Sequence, residues 1–501
     1  MGEPRSYLRL TMPPKPSTWS SLFDEALITA RSLADYAMGT VNPVLRLGVT
    51  GLSRAGKTVF ITALVEALIT GGRLPVFRAQ AEGRIAGARL SPQPDDTVPR
   101  FDYENHLRDL TGEERRWPDS TRQIAELRLV IEYQPHRRFG SGLSSLTLDI
   151  VDYPGEWLLD LPLLQKTYAQ WSAETLAASR EGSRLPLAGE WHAHLAGLSA
   201  EAPAKESVAR EAAQFFTQYL RAGRDARFAL STLPPGRFLM PGDLEGSPAL
   251  TFAPLDIGAE AEARPRSLHA MMERRYEAYK HRIVRPFFTE HFARLDRQVV
   301  LVDALAALNA GPQALRDLET ALASVLSAFR IGSNSWLSAI FRPRIQKILF
   351  AATKADHLHH TSHDRLEAIL RRLADAAIDR AAFSGAAVDV VALASVRATR
   401  EASVRQGRET LPCIIGTPLA GEKSANEVFD GQAEIAVFPG ELPADPGAVF
   451  SEGGFAGLES GGDGVDYRFI RFRPPPVEPG KGLPHIRLDR ALEFLIGDRL
   501  A

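Results

Sequence analysis

Gly51-Leu52-Ser53-Arg54-Ala55-Gly56-Lys57-Thr58 has the spacing G-x-x-x-x-G-K-[ST] of a phosphate-binding loop. A β-run, Val44 to Thr50, leads in, and an amphipathic helix from Lys57 to about Ile69 leads out. The glycines let the backbone fold round an anion, so that N–H groups and the positive helix end point at phosphate oxygens. Ser53, Arg54, Ala55, Gly56, Lys57, Thr58 and Val59 are therefore expected to line a nucleotide's phosphates. Lys57 would bridge the β- and γ-phosphates, and the Thr58 hydroxyl would ligate Mg²⁺.

Upstream, Asn42-Pro43 breaks the chain, and apolar residues at helical spacing (Leu22, Leu27, Ile28, Ala30, Leu33) predict an N-terminal helix within 17–41. Downstream, Gly71-Gly72 ends the helix, and residues 73–120 read as Pro-rich, polar and partly helical. Two β-runs follow, Ile124 to Tyr133 and Leu143 to Val151, predicting an antiparallel hairpin. The second closes on Asp152-Tyr153-Pro154-Gly155-Glu156, a D-x-x-G at a strand end. Asp152 is placed to hold Mg²⁺ through water, and the Gly155 N–H to meet a γ-phosphate. Thr121, just ahead of the hairpin, is the candidate second hydroxyl ligand for Mg²⁺, with Ser120 and Thr97 as rivals.

From 158 to 297 the pattern turns helical (Leu163 to Ala178, Lys205 to Leu220, Ser267 to Leu295), with Pro/Gly connectors between. Val299 to Asp303 then returns as an apolar buried strand, typical of a parallel sheet. A helix from Ala314 to Phe329 and the apolar run Trp336 to Phe341 follow. The next strand, Ile345 to Ala352, ends in Thr353-Lys354-Ala355-Asp356. T-K-x-D in this place suits a guanine-reading loop. A carboxylate accepts from guanine N1–H and its amine, which adenine cannot supply, while the Lys stem packs on the ring. A third strand, Val388 to Leu393, leads to Ala394-Ser395-Val396-Arg397, where Ser395 and Val396 would offer N–H groups to guanine O6.

Composition bounds the rest. With 501 residues, 45% hydrophobic and 24% charged, the chain has room for two or three units that each bury a core. A net charge of −2 without a Lys/Arg run lacks the footprint of a nucleic-acid binder. Cys413 is the only cysteine, which excludes an intrachain disulfide and fits a reducing, cytoplasmic compartment. No run of 18 apolar residues predicts a membrane span, although peripheral membrane association is not excluded. His357, His359, His360 and His363 cluster after the T-K-A-D loop and read as solvated residues round a helix start capped by Thr361, with His359 and His363 as a weaker metal pair. Residues 405–465 read as loops and short strands, Tyr467 to Arg473 as a strand, and the chain closes on a helix from about Asp489.

Taken together, G-L-S-R-A-G-K-T, D-Y-P-G-E-W at 152–157, T-K-A-D at 353–356 and Gly482-Leu483-Pro484-His485-Ile486-Arg487 resemble the YcjX-like P-loop GTPases, stress-associated bacterial proteins with a Ras-like core. The resemblance implies GTP/GDP binding with Mg²⁺ and an α/β fold. That fold is a mixed, mostly parallel sheet with flanking helices built from about 42–157 and 298–405, with an inserted helical domain (158–297) and a C-terminal extension (406–501). Lys57, Glu156 and Thr121 become the candidate catalytic residues. Glu156 stands where Ras-like enzymes place glutamine, and a carboxylate there cannot donate to developing charge. The expectation is slow intrinsic hydrolysis, below roughly 1 s⁻¹, that awaits a protein activator or a residue from the helical stretch. Two alternatives stay open: a P-loop ATPase or phosphotransferase, which leaves Asp356 unexplained, and a scaffold that holds GDP without turnover.

Overall fold

The computed structural model describes residues 43–51, 55–119, 123–136, 142–225, 228–327, 345–383, 385–424, 427–450, 469–478 and 480–501. The predicted N-terminal helix, Ser53, Arg54, Ser120, Thr121 and the run Trp336 to Phe341 lie outside these residues.

Seven strands make one sheet: β1 Val44–Gly51, β2 Ile85–Ser91, β3 Ala125–Tyr133, β4 Ser144–Asp152, β5 Arg297–Val302, β6 Lys347–Ala352 and β7 Ala387–Ala392. Their order is β2-β3-β4-β1-β5-β6-β7. β1, β5, β6 and β7 pair in parallel, whereas β2, β3 and β4 form an antiparallel meander. The parallel half is written in apolar runs because both of its faces are covered. Val300, Val302, Phe350 and Val390 enter one hydrophobic cluster, and their neighbours Val299, Leu301, Leu349 and Val391 enter the other. The meander adds a cross-strand ion pair: Arg128 and Asp149 stand opposite each other and join at 2.6 and 2.8 Å.

One face is covered by α1 Lys57–Thr70, α2 Tyr103–Thr111 and the C-terminal helix. α1 starts at Gly56 (φ 79°) and stops at Gly71 (φ 67°), both in the left-handed region that favours glycine. The other face carries α3 Tyr168–Ser179, α4 Glu206–Gly223, α5 Leu268–Tyr279, α6 Pro312–Ser327 and α7 His363–Phe383. The helical stretch after residue 157 thus shares a core with the sheet: Trp171, Phe216 and Tyr276 belong to the same cluster as Val300 and Phe350. The closing helix α8, Leu488–Ile496, is tied to β5 by the fully buried Arg297. That guanidinium donates to the Leu495 carbonyl (3.1 Å) and pairs with Asp498 (2.9 Å).

Several expectations need correction. The helix read from Leu163 begins later, at Tyr168, because 3₁₀ turns occupy Gly155–Gln165 and Thr167 with Gln170 builds a reciprocal capping box. The helix read from Ser267 to Leu295 passes through a wide turn, Lys280–Val284, just before Pro286, whose missing N–H interrupts the ladder. Residues 73–120 contain β2, a half-exposed edge strand whose hydrogen bonds come from β3. Beyond β7, β8 Arg400–Gln406, β9 Glu409–Gly416 and β10 Ile435–Val437 form a small antiparallel sheet. The strand read at Tyr467 to Arg473 is reduced, among its described residues, to a bridge between Phe472 and Pro418.

Candidate functional site

Because β1, β5, β6 and β7 run parallel, their carboxyl ends share one edge, where ligands meet open α/β sheets. At that edge the G-K-T sequence after β1, Asp303 after β5, the T-K-A-D loop after β6 and the Ser395 loop after β7 stand in spatial order. Strands lie about 4.8 Å apart, so T-K-A-D is roughly 10 Å from the phosphate-loop sequence, a distance that a ribose and its phosphates span.

On the G-K-T side, Ala55 and Thr58 are buried and Lys57 is half-buried in the first turn of α1. Among the described residues, its chain neighbours aside, nothing stands within 4 Å of where a Gly56 side chain would begin. The Thr58 hydroxyl donates to the Asp119 carbonyl at 3.4 Å, which brings Asp119 beside it. Thr97, a rival to Thr121, is exposed and closes a local turn with Asp95 at 2.6 Å.

β4 places Asp152 at the same edge, only 1% exposed. Tyr153 N–H donates to the Val49 carbonyl (3.4 Å), and its hydroxyl donates to Gln298 Oε1 (2.6 Å). Gly155 then lies on the end of β1: a Cβ there would be 2.4 Å from the Gly51 carbonyl oxygen and 3.0 Å from Thr50 Oγ1. The Thr50 hydroxyl is buried and has no hydrogen-bond partner among the described residues. The first glycine of one motif and the glycine of the other are thus backbone neighbours.

The residues after Gly155 are gripped by the helical stretch. Glu156, 5% exposed, pairs with Arg224 at 2.9 Å. A Cβ on Gly236 would stand 2.1 Å from the Glu156 carbonyl oxygen, so only glycine fits. The Arg237 guanidinium lies 3.2 Å over the Trp157 ring. Asp160, fully buried, accepts from Gly236 N–H (2.7 Å) and the Tyr279 hydroxyl (2.5 Å). Burial outweighs these bonds and pushes its carboxyl up to about 7.

The T-K-A-D side is held differently. Lys354 adopts φ 62° and its ammonium pairs with Asp303 at the end of β5. Asp356, 4% exposed, accepts from Ala398 N–H at 2.9 Å, and its carbonyl accepts from the Thr399 hydroxyl. Ala355 N–H donates to the Leu393 carbonyl, so the T-K-A-D loop and the loop carrying half-buried Ser395 and buried Val396 are one hydrogen-bonded unit. The 482–487 signature closes on it: Ala394 and Ile486 exchange both backbone hydrogen bonds, and Arg397 N–H donates to Pro484.

Two of the four histidines depart from the reading, while His360 is exposed and His359 half-exposed as expected. His357 and His363 are buried; His363 Nε2 lies 2.9 Å from the Ala355 carbonyl, which folds the segment back under the loop, and α7 begins at His363 itself. Burial lowers both histidines' affinity for a proton.

The residues present suit a nucleotide with a hard cation. Thr58 and Asp152 offer oxygen donors of the kind Mg²⁺ prefers, and the Gly51–Gly155 contact leaves backbone where side chains would intrude. Arg224, Gly236, Arg237 and Asp303 were not foreseen as site residues. Only Asp303, at the end of an apolar strand, carried a signal.

A mixed sheet with such loops on its carboxyl edge, behind G-x-x-x-x-G-K-T, has the arrangement of α/β mononucleotide-binding proteins. The chain belongs to the YcjX-like family, DUF463, whose model matches residues 45–500. It is 40% identical over 469 residues to the Ras-like GTPase YcjX of Escherichia coli K12, covering 91% of this chain and 96% of that protein. It is 35% identical over 489 residues to the Ras-like GTPase YcjX of Shewanella oneidensis, covering 92% and 96%. Among the described residues no helix is long and apolar enough to cross a membrane.

Proposed function

We propose that this chain is a Mg²⁺-dependent guanine-nucleotide switch that hydrolyses GTP slowly. The observation that carries the reading is the placement of Asp356 and of the Gly56-Lys57-Thr58 turn on one sheet edge, two strands apart. Lys57 and the loop N–H groups from Ser53 to Val59 bind the phosphates. Thr58, Asp152 and Thr121 hold Mg²⁺, whose charge offsets the phosphate oxygens. Asp356 reads the guanine N1–H and amine, Ser395 and Val396 its O6, and Thr353 and Lys354 frame the ring. Residues 42–157 and 298–405 then form the nucleotide-binding core, with 158–297 inserted between them. The name shared by the relatives supports the same activity.

Hydrolysis needs a water to attack the γ-phosphorus while the bond to the β-bridging oxygen breaks, and donors to stabilise the charge. Glu156 supplies no donor there, and its pairing with Arg224 keeps its carboxylate occupied. Slow turnover follows, with the helical stretch as the element that responds when Gly155 meets a γ-phosphate.

The test is equilibrium binding of fluorescent GDP and ADP, with Mg²⁺, to nucleotide-stripped wild type and Asp356→Asn. A preference for GDP of at least about a hundredfold, abolished in the variant, is expected, since a buried carboxylate left unpaired penalises the wrong base. Equal binding of ADP would replace the reading with an ATPase. Single-turnover GTP cleavage above roughly 1 s⁻¹ would remove the slow-turnover part.

A further inference from the structure

We infer that His359, His360 and Glu401 form a binding site for a divalent transition-metal ion of the zinc class. His359 and His360 follow the T-K-A-D loop, and Glu401 comes from β8, 41 residues beyond His360. One donor atom from each lies within 4.8 Å of the other two. Two imidazoles and a carboxylate suit Zn²⁺ and its neighbours, whereas Mg²⁺ prefers oxygen alone. The sequence pointed instead to His359 with His363; the structure turns His363 inward and supplies the carboxylate from a distant strand.

The ligands are poised. His359 Nδ1 lies 3.1 Å from the Thr361 hydroxyl oxygen. Thr361 N–H also donates to this Nδ1 at 3.5 Å, so Thr361 orients the ring from two sides, and Nε2 becomes the metal ligand once the ring proton moves from Nε2 to Nδ1, which then donates to the hydroxyl. The His359 and His360 rings are 4.2 Å apart, centroid to centroid. His360 Nδ1 is 2.7 Å from Glu401 Oε2, while Arg397 steadies the other oxygen, Oε1, at 3.4 Å.

A tetrahedral ion with bonds of about 2.0–2.2 Å separates its ligands by roughly 3.4 Å, so the histidine and carboxylate part by less than about 1 Å to admit it. The proton on His360 Nδ1 passes through solvent to Nε2 as the metal–nitrogen bond forms, so the neutral imidazole binds one metal with no net proton released. Three protein ligands leave a fourth position for water.

The backbone under these ligands is already fixed. Ser362 N–H donates to the His359 carbonyl at 2.9 Å, and Asp356 is bonded to Ala398 and Thr399. The ion would add a covalent-strength tie between the loop that carries Asp356 and β8, next to contacts that already join them. The site stands on its own residues and does not depend on which nucleotide the edge holds.

Calorimetric titration of the untagged full chain with ZnCl₂ tests the site, together with hydrogen exchange in the same buffer. One saturable equivalent is expected, with exchange slowed in 357–363 and 400–402. His359→Ala, His360→Ala and Glu401→Gln should each weaken binding at least about tenfold. His359→Gln keeps a polar side chain and should weaken it as much, which guards against a folding artefact, while His281→Ala, an exposed histidine beside Glu277, should change nothing. Absence of saturable binding, unaltered affinity in the three variants, or protection confined to other segments would overturn the assignment.

Discussion

The two sides of the edge are built on different principles. Around Asp356 the loops are joined mainly by backbone hydrogen bonds, Ala355 to Leu393 and Ile486 with Ala394 in both directions, with the Ala398 N–H added to the Asp356 carboxylate. Around Gly155 the chain is held by side chains from a helical stretch: Arg224 on Glu156, Arg237 on Trp157 and Tyr279 on Asp160. Backbone ladders fix one geometry, whereas side-chain ion pairs and stacking can be exchanged for other partners at modest cost. A base reader gains from the first kind of support, and a phosphate sensor from the second. In the proposed switch, identity is thus read by the backbone-tied unit and state by the side-chain-held one.

The largest expected effect breaks the movable side at its tightest backbone contact. Gly236→Ala puts a methyl group 2.1 Å from the Glu156 carbonyl oxygen, and neither backbone can yield cheaply. A loss of about 3 kcal/mol in urea unfolding is expected, together with loss of any response to a γ-phosphate. The preference for GDP over ADP should survive, since the base loops are untouched; if it falls in parallel, the two sides are not separate.

Next comes a titration confined to the same side. With its carboxyl pushed up to about 7, Asp160 holds in the folded state a proton that the unfolded chain releases near pH 4. The folded state therefore binds more protons between about pH 4 and 7, so stability falls as pH rises through that window and levels off above it. The slope from this group is at most about 1.4 kcal/mol per pH unit. Asp160→Asn should flatten the profile measured by urea midpoints at pH 5, 6, 7 and 8. An unchanged slope would mean that the Asp160–Tyr279–Gly236 cluster is not as dry as its burial indicates.

On the rigid side, Thr399→Val removes the hydroxyl that donates to the Asp356 carbonyl. A cost of about 1 kcal/mol should appear as GDP dissociation faster by about fivefold, with the GDP to GTP-analogue affinity ratio unchanged. A shifted ratio would show that the base loops also sense the γ-phosphate. The smallest effect is Glu156→Gln, which frees the position from Arg224 and supplies a donor. GTP hydrolysis should rise about three- to tenfold in single-turnover assays. A rate that stays the same or falls would place the attacking water elsewhere.

The rigid side was legible in the sequence and the movable side only in outline. Motifs such as T-K-A-D and G-x-x-x-x-G-K-T put their chemistry into adjacent residues behind apolar strands, so chain order alone arranges them on one edge. The grip on the D-x-x-G segment joins residues such as Gly236 and Asp160, 76 positions apart, and no periodicity encodes such a pair. β2 was missed because Ile85-Ala86-Gly87-Ala88 has little alternation; its pairing is dictated by the open edge of β3. The reading of His357 and His363 as solvated failed because polar residues were assumed to face water. His363 instead satisfies buried carbonyls of the loop before it.

The most direct test of a rigid reader beside a movable sensor is hydrogen exchange of the full chain with Mg²⁺ and either GDP or a non-hydrolysable GTP analogue. Exchange should differ between the two nucleotides in 155–165 and in the helical residues 206–240, and should match in 353–363 and 394–399. Equal exchange everywhere, or differences centred on the Asp356 loops, would contradict it.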